Sequence, residues 1–169
     1  MIDGIEKLLK KFDVPIDFML WLAVAAGFLM MMHTSVDVFG RTVLNRPLPG
    51  TTEIVSAYYM VAASYLPWAW IARGNSHIMV ELFTRSAPRW FNEWLDIFVK
   101  VATGAYVSVF TWQTGVRAIQ QTGAGEVWQA AEYFIPVWPS RWMLPIAGAL
   151  MVLYLVLRVI ADIARAVQR

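Results

Sequence analysis

The 169-residue chain has no cysteine, so disulfides and thiolate metal sites are excluded while the compartment stays open. Charge is scarce: Asp, Glu, Lys and Arg make up 15% of residues, against about 25% in typical soluble domains. A soluble protein of this size would need far more polar surface to cover its core. Histidine is nearly missing too, with only His33 and His77. There is no Gly-rich phosphate loop, no HExxH pair and no Ser-centred elbow, so neither a catalytic constellation nor a metal site is read. The net charge of +2 is too weak to suggest nucleic acid as a partner, and no basic cluster is dense enough to do so. No internal repeat or low-complexity tract is found.

What the chain does have is apolar length. Hydrophobic residues reach 59%, and four uncharged stretches stand out: Phe18–Val36, Ile54–Ala72, Val101–Val116 and Trp142–Leu157. A helix rises about 1.5 Å per residue, so roughly 20 residues cross the hydrocarbon of a bilayer. The first two stretches suffice alone; the last two need their flanks, Leu95–Lys100 and Arg158–Ala161, to finish the crossing. The expected fold is an all-α integral membrane protein with four transmembrane helices, about 16–38, 53–73, 93–117 and 141–161, plus amphipathic interfacial helices. The connections are too short to house a second domain. The N-terminal lysines precede a run without a small-residue site at its end, which fits a retained span better than a cleaved signal.

Basic residues set the orientation. The N-terminus (Lys7, Lys10, Lys11), the second loop (Arg73, Arg85, Arg89, Lys100) and the C-terminus (Arg158, Arg165, Arg169) hold ten of them. The first loop (Arg41, Arg46) and third loop (Arg117, Arg141) hold four. The positive-inside rule then places both termini in the cytoplasm.

Segments outside the spans are amphipathic. Residues 1–14 group Ile2, Ile5, Leu8, Leu9 and Phe12 on a narrow arc and are expected to form a separate interfacial helix. The membrane domain, 15–169, then begins at Pro15 with a change of direction. In the second loop His77, Glu81 and Arg85 share one helical face. Pro88 opens a further helix whose charged stripe, Arg89, Glu93, Asp96 and Lys100, contains two i,i+4 pairs. The third loop, Arg117–Arg141, is rich in Gly, Pro and Trp, and aromatic belts at the interface account for most of the nine tryptophans. Ala23/Gly27, Gly104/Ser108 and Ala147-Gly148-Ala149 permit close helix approach.

Intramembrane ionisable groups mark function by default, and His33 is the single titratable side chain inside an apolar run. It reads as a packed or hydrogen-bonded interior histidine. A bis-histidine haem would need His77 as second ligand, but the expected topology sets the two at opposite membrane faces. Only a single-histidine or intersubunit haem survives that geometry.

The densest signal surrounds the second span. Before it stand Asp37, Arg41, Asn45, Pro47-Leu48-Pro49-Gly50, Thr51 and Glu53; after it come Arg73, His77-Ile78-x-Val80 and Glu81. Singly these have local roles. Asp37 and Arg41 are an i,i+4 pair, Pro49-Gly50 suits a tight turn, Thr51 can cap the next helix, and Glu53 faces its positive end. Arg73 favours a helix C-terminus, with Gly74 at the cap.

Their joint spacing resembles the signature of the small membrane subunit of TRAP (tripartite ATP-independent periplasmic) transporters, the Q-type or DctQ-like family. The N-x-P-L-P-G-x-x-E and R-x-x-x-H-I-x-V-E stretches carry it, with Ile135-Pro136-x-Trp138 and Pro145 before the last span. Glu81 stands where the family often has aspartate, which keeps the carboxylate. The resemblance covers essentially residues 15–160. It implies a non-enzymatic scaffold in the bacterial cytoplasmic (inner) membrane, multi-pass, without a cofactor or substrate site of its own. Its partners would be the lipid bilayer, a periplasmic substrate-binding protein and a large subunit of about twelve spans that moves an organic carboxylate by sodium-coupled alternating access. Asp37, Arg41, Asn45, Pro47, Pro49, Gly50, Glu53, Arg73, His77 and Glu81 would be interface or structural anchors.

Two other classes compete: a membrane-anchor subunit of a redox enzyme, which needs bound haem, and a self-sufficient small channel, which the uncharged spans disfavour. Topology reporters fused at each end should both read cytoplasmic. Opposite readings would overturn the four-span arrangement.

Overall fold

The computed structural model describes residues 2–46, 48–74, 88–130 and 133–167. Its order is α1 (Ile2–Val43), a broken helical segment, α5 (Arg89–Ala124), a β-hairpin, a short 3-10 turn (Ser140–Trp142) and α6 (Met143–Val167). The broken segment comprises α2 (Thr51–Ile54), a π turn (Val55–Tyr59), α3 (Met60–Tyr65) and α4 (Trp68–Arg73). The hairpin pairs β1 (Val127–Ala130) with β2 (Tyr133–Pro136) antiparallel, Trp128 opposite Ile135.

Among the described residues, three helices are long and apolar enough to cross a bilayer: Glu6–Val43, Trp94–Ala124 and Ser140–Arg165. The expected second span, 53–73, is helical over most of its length but is no single helix. Its ladder is widened at Val55–Tyr59 and interrupted before α4, where Pro67 supplies no amide. The third expected span, 93–117, continues for two further turns to Ala124, where Gly125 closes the helix at φ 62°. That leaves a much shorter third loop than expected, and the hairpin in it was not foreseen.

At the N-terminus the helix is continuous through Pro15, so the expected break there is absent. A mid-helix proline forfeits one rung and costs about 3 kcal/mol in isolation. Packing on either side offsets it. Ile16 is fully buried, and Leu9 joins it in a cluster with Ala69 and Tyr154. Phe12 packs against the same cluster, so part of the apolar arc of residues 1–14 faces protein.

A second cluster, Ala23, Ala26, Ala62, Leu66 and Ala147, seats α1 against α3 and α6. It is built mainly from alanines, as expected where close approach of backbones provides the attraction. In the most extensive helix pairing, that of α5 with α6, Gly148 leaves no room for a side chain; a Cβ there would collide with Thr111 Oγ1. Gly27 and Gly104, also small residues on spans, have nothing near them.

The Thr111 hydroxyl has no described hydrogen-bond partner, and the bare Gly148 backbone lies against it. Gly148→Ala should therefore lower the thermal midpoint in detergent, by an overpacking penalty of about 1–3 kcal/mol. Gly104→Ala, in open space, should leave it nearly unchanged.

Candidate functional site

The described ion pairs gather at the two ends of the bundle. At one end the start of α1 meets the end of α6: Arg165 of α6 bonds Glu6 of α1 at 2.6 Å. Here Arg73, the last residue of α4, extends its guanidinium between two carboxylates one turn apart on α1. Nη1 donates to Asp13 at 3.1 Å and Nη2 to Asp17 at 2.5 Å. Beside it, Lys100 of α5 donates to Asp96 on its own helix at 2.7 Å and to Asp162 of α6 at 2.8 Å. The Lys100 side chain is only 5% exposed, so both carboxylates are needed to compensate its lost hydration. Asp162 also receives Arg165 at 3.3 Å. Ion pairs thus tie α1 to α4, α5 to α6 and α6 to α1.

At the opposite end the loop after α1 is fastened by Asp37. Oδ2 accepts from Arg41 Nε at 2.8 Å and Oδ1 from the Leu48 amide at 2.8 Å. Asn45 takes a left-handed φ of 50°, which Asn tolerates, and the Arg46 amide returns to Gly40 O at 3.0 Å. The turn at Pro49-Gly50 forms as the sequence indicates, with Gly50 at φ 82°. Gly50 is needed twice over, since a Cβ would sit 3.2 Å from Ile135 Cδ1 on the hairpin.

Thr51 does not cap α2. Gly50 holds the cap position, while the Thr51 hydroxyl donates to Leu48 O and lies 3.5 Å from His33 Nε2. His33 also meets the edge of Tyr59, so it is packed and within hydrogen-bonding reach, as an interior histidine should be. Glu53 lies in the first turn of α2, and no ion pair joins it to Arg41 among the described residues. Pro47, His77 and Glu81 lie outside the described residues.

The hairpin is strapped on by groups the sequence did not single out. The Tyr58 hydroxyl, on the π turn, donates to Pro136 O. Val137 N donates to Glu126 O at 2.9 Å. Arg141 forks onto the Glu126 carboxylate, Nε to Oε2 at 3.0 Å and Nη2 to Oε1 at 2.8 Å. Between the π turn, α5 and the hairpin lies an open cavity of about 310 Å³, with Ala57, Val61, Leu144 and Trp128 among its walls and Arg117 in its lining. No group of three or more metal-ligating side chains exists among the described residues.

With this geometry in place, the comparison with protein families is decisive. The family described as "Tripartite ATP-independent periplasmic transporters, DctQ component" matches residues 30–165. The chain belongs to the DctQ family. As a DctQ-like chain it is a TRAP transporter component and no enzyme; the redox-anchor alternative gains no support. No curated protein and no solved structure matches it.

The bond from Arg141 holds the Glu126 carboxyl below its ordinary value of 4.5, against the opposing effect of burial. A carboxyl depressed in the folded state contributes stability above its unfolded pKa, and loses it as pH falls through the lower folded value. Acidification from about pH 5 to pH 3 should therefore narrow the gap in thermal midpoint between wild type and Glu126→Gln. A gap that stays constant with pH would remove the pair from the account.

Proposed function

We propose that this chain is the small permease subunit of a TRAP transporter in the bacterial inner membrane, a static scaffold that pairs with the large transport subunit. The large subunit would perform sodium-coupled, binding-protein-dependent uptake of an organic carboxylate by alternating access against this wall. The family match over residues 30–165 carries the reading.

The geometry supports it in two ways. Most of the apolar surface of the three long helices is uncovered within the chain, as Phe18, Trp21, Phe28 and Met31 on α1 exemplify, leaving area for both lipid and a partner. Meanwhile the bundle is clasped at both ends, which suits a part that holds still. Thr51–Arg73 would be the fourth crossing: twenty-three residues span about 34 Å at helical rise. Residues 1–14 and the second loop would lie at the cytoplasmic face, and the hairpin would face the periplasm, where the binding protein docks.

Within this scheme Asp37, Arg41, Asn45, Pro47, Pro49, Gly50 and Glu53 form the external anchor, and Arg73, His77 and Glu81 the internal one. Arg73 acts inside the chain, fixing α4 to α1. Arg73→Ala should cut both co-purification with the large subunit and transport in reconstituted vesicles, and Arg73→Lys should restore part of each. Glu81→Ala should act in the same direction. If both alanine variants assemble and transport as wild type does, the anchor assignment is wrong.

A further inference from the structure

We propose that the cavity between the π turn and the hairpin is a binding site for one anionic phospholipid, its phosphate on Arg117 and an acyl chain along the apolar wall. The wall is supplied by Val61, Leu144 and Trp128, and Arg117 joins the lining with Thr114 one turn before it on α5. A cavity of about 310 Å³ lies at the lower end of the range for small-molecule sites.

The charge distribution selects the occupant. Two guanidinium groups line the cavity, and they differ in state. Arg141 is consumed by the bidentate bond to Glu126. Arg117 has no carboxylate partner among the described residues; its contact is the neutral Gln120 amide oxygen on the same helix at 3.5 Å. Thr114 contributes little to a ligand, because its hydroxyl already donates to Phe110 O at 2.8 Å. An unneutralised cation beside an apolar recess suits an oxyanion joined to a hydrocarbon tail. Arg117 also ends the uncharged stretch of α5 that follows Lys100, about 26 Å of helix and so close to the hydrocarbon thickness, which suits a guanidinium near phosphate depth. The tryptophan in the wall fits that interfacial level.

This inference does not rest on the transport reading, only on residence in a bilayer. Its test uses the full chain in nanodiscs containing equal phosphatidylglycerol and phosphatidylcholine, with native mass spectrometry counting the lipids that remain after release. One phosphatidylglycerol should be retained in preference to phosphatidylcholine. Arg117→Gln should weaken retention about tenfold, the loss of one charge-assisted hydrogen bond. Val61→Phe, which fills the recess and keeps the cation, should lower retention of long-chain lipid while sparing a short-chain one.

Excess inorganic phosphate distinguishes a headgroup site from a bare anion site: displacement of the short-chain lipid alone supports the two-part site. Equal retention by wild type and Arg117→Gln, equal amounts of the two lipids, or displacement of the long-chain lipid by phosphate would each overturn the proposal. So would protection of Arg117 by a co-purified protein with no lipid bound. Arg117 is exposed, so its glutamine variant should fold normally, which unchanged tryptophan fluorescence would verify.

Discussion

A helix bundle that shows hydrocarbon-like surface to its solvent cannot be held together by the hydrophobic effect in the usual way, because lipid tails are as apolar as leucine. Every other feature of this DctQ-family chain follows from that constraint. Cohesion in the middle falls to contacts that need close approach, and small side chains provide it: Ala23, Ala26 and Ala62 between helices, and bare Gly148 backbone against Thr111. Cohesion at the ends, where water returns, falls to charge. The chain concentrates its few ionisable groups there, so that a low content of charge coexists with an extensive ionic framework.

The two ends are fastened differently. Where the start of α1 meets the end of α6, each cation bridges separate elements: Arg73 joins α4 to α1, Lys100 joins α5 to α6, Arg165 joins α6 to α1. At the hairpin end Asp37 accepts one bond from backbone and one from arginine, while Glu126 takes Arg141 on its carboxylate and the Val137 amide on its carbonyl. The former arrangement fixes helices relative to one another; the latter fixes loops onto helices. Both suit a scaffold, and they divide the work between bundle and connections.

Much of this was legible in the residues themselves. Apolar length located the three long helices, and spacing around the second segment pointed to the family. The Asp37–Arg41 pair and the Gly50 turn could be read because each depends on neighbours along the chain or on one residue's conformational freedom, and the packed His33 because a polar ring inside an apolar run needs a partner. What escaped was long-range. Asp13 and Asp162 are unremarkable until Arg73 and Lys100 arrive from 60 and 62 residues away. An acidic i,i+4 pair, Asp13 and Asp17, opposite a lone arginine at a helix end was the signal available. The hairpin lay in a stretch dense in Gly, Pro and aromatics, where interfacial anchoring and strand pairing leave the same composition. Continuity through Pro15 was missed because a local steric rule was outweighed by burial of Ile16.

The π turn at Val55–Tyr59 has a consequence for angular phase. An α-helix advances about 100° per residue, and a π turn accommodates one more residue than an α turn. The residues from Met60 to the break at Pro67 are thereby rotated by about 100° from where an uninterrupted helix started at Thr51 would have carried them. Ala62 and Leu66 fall on the side facing α1 and α6 with that offset included. Tyr58 and Tyr59, inside the widened turn, aim at the hairpin and at His33 respectively. One surplus residue thus lets a single segment reach the hairpin and His33 through the widened turn and α1 and α6 through α3, and its deletion would turn Ala62 and Leu66 away from their neighbours.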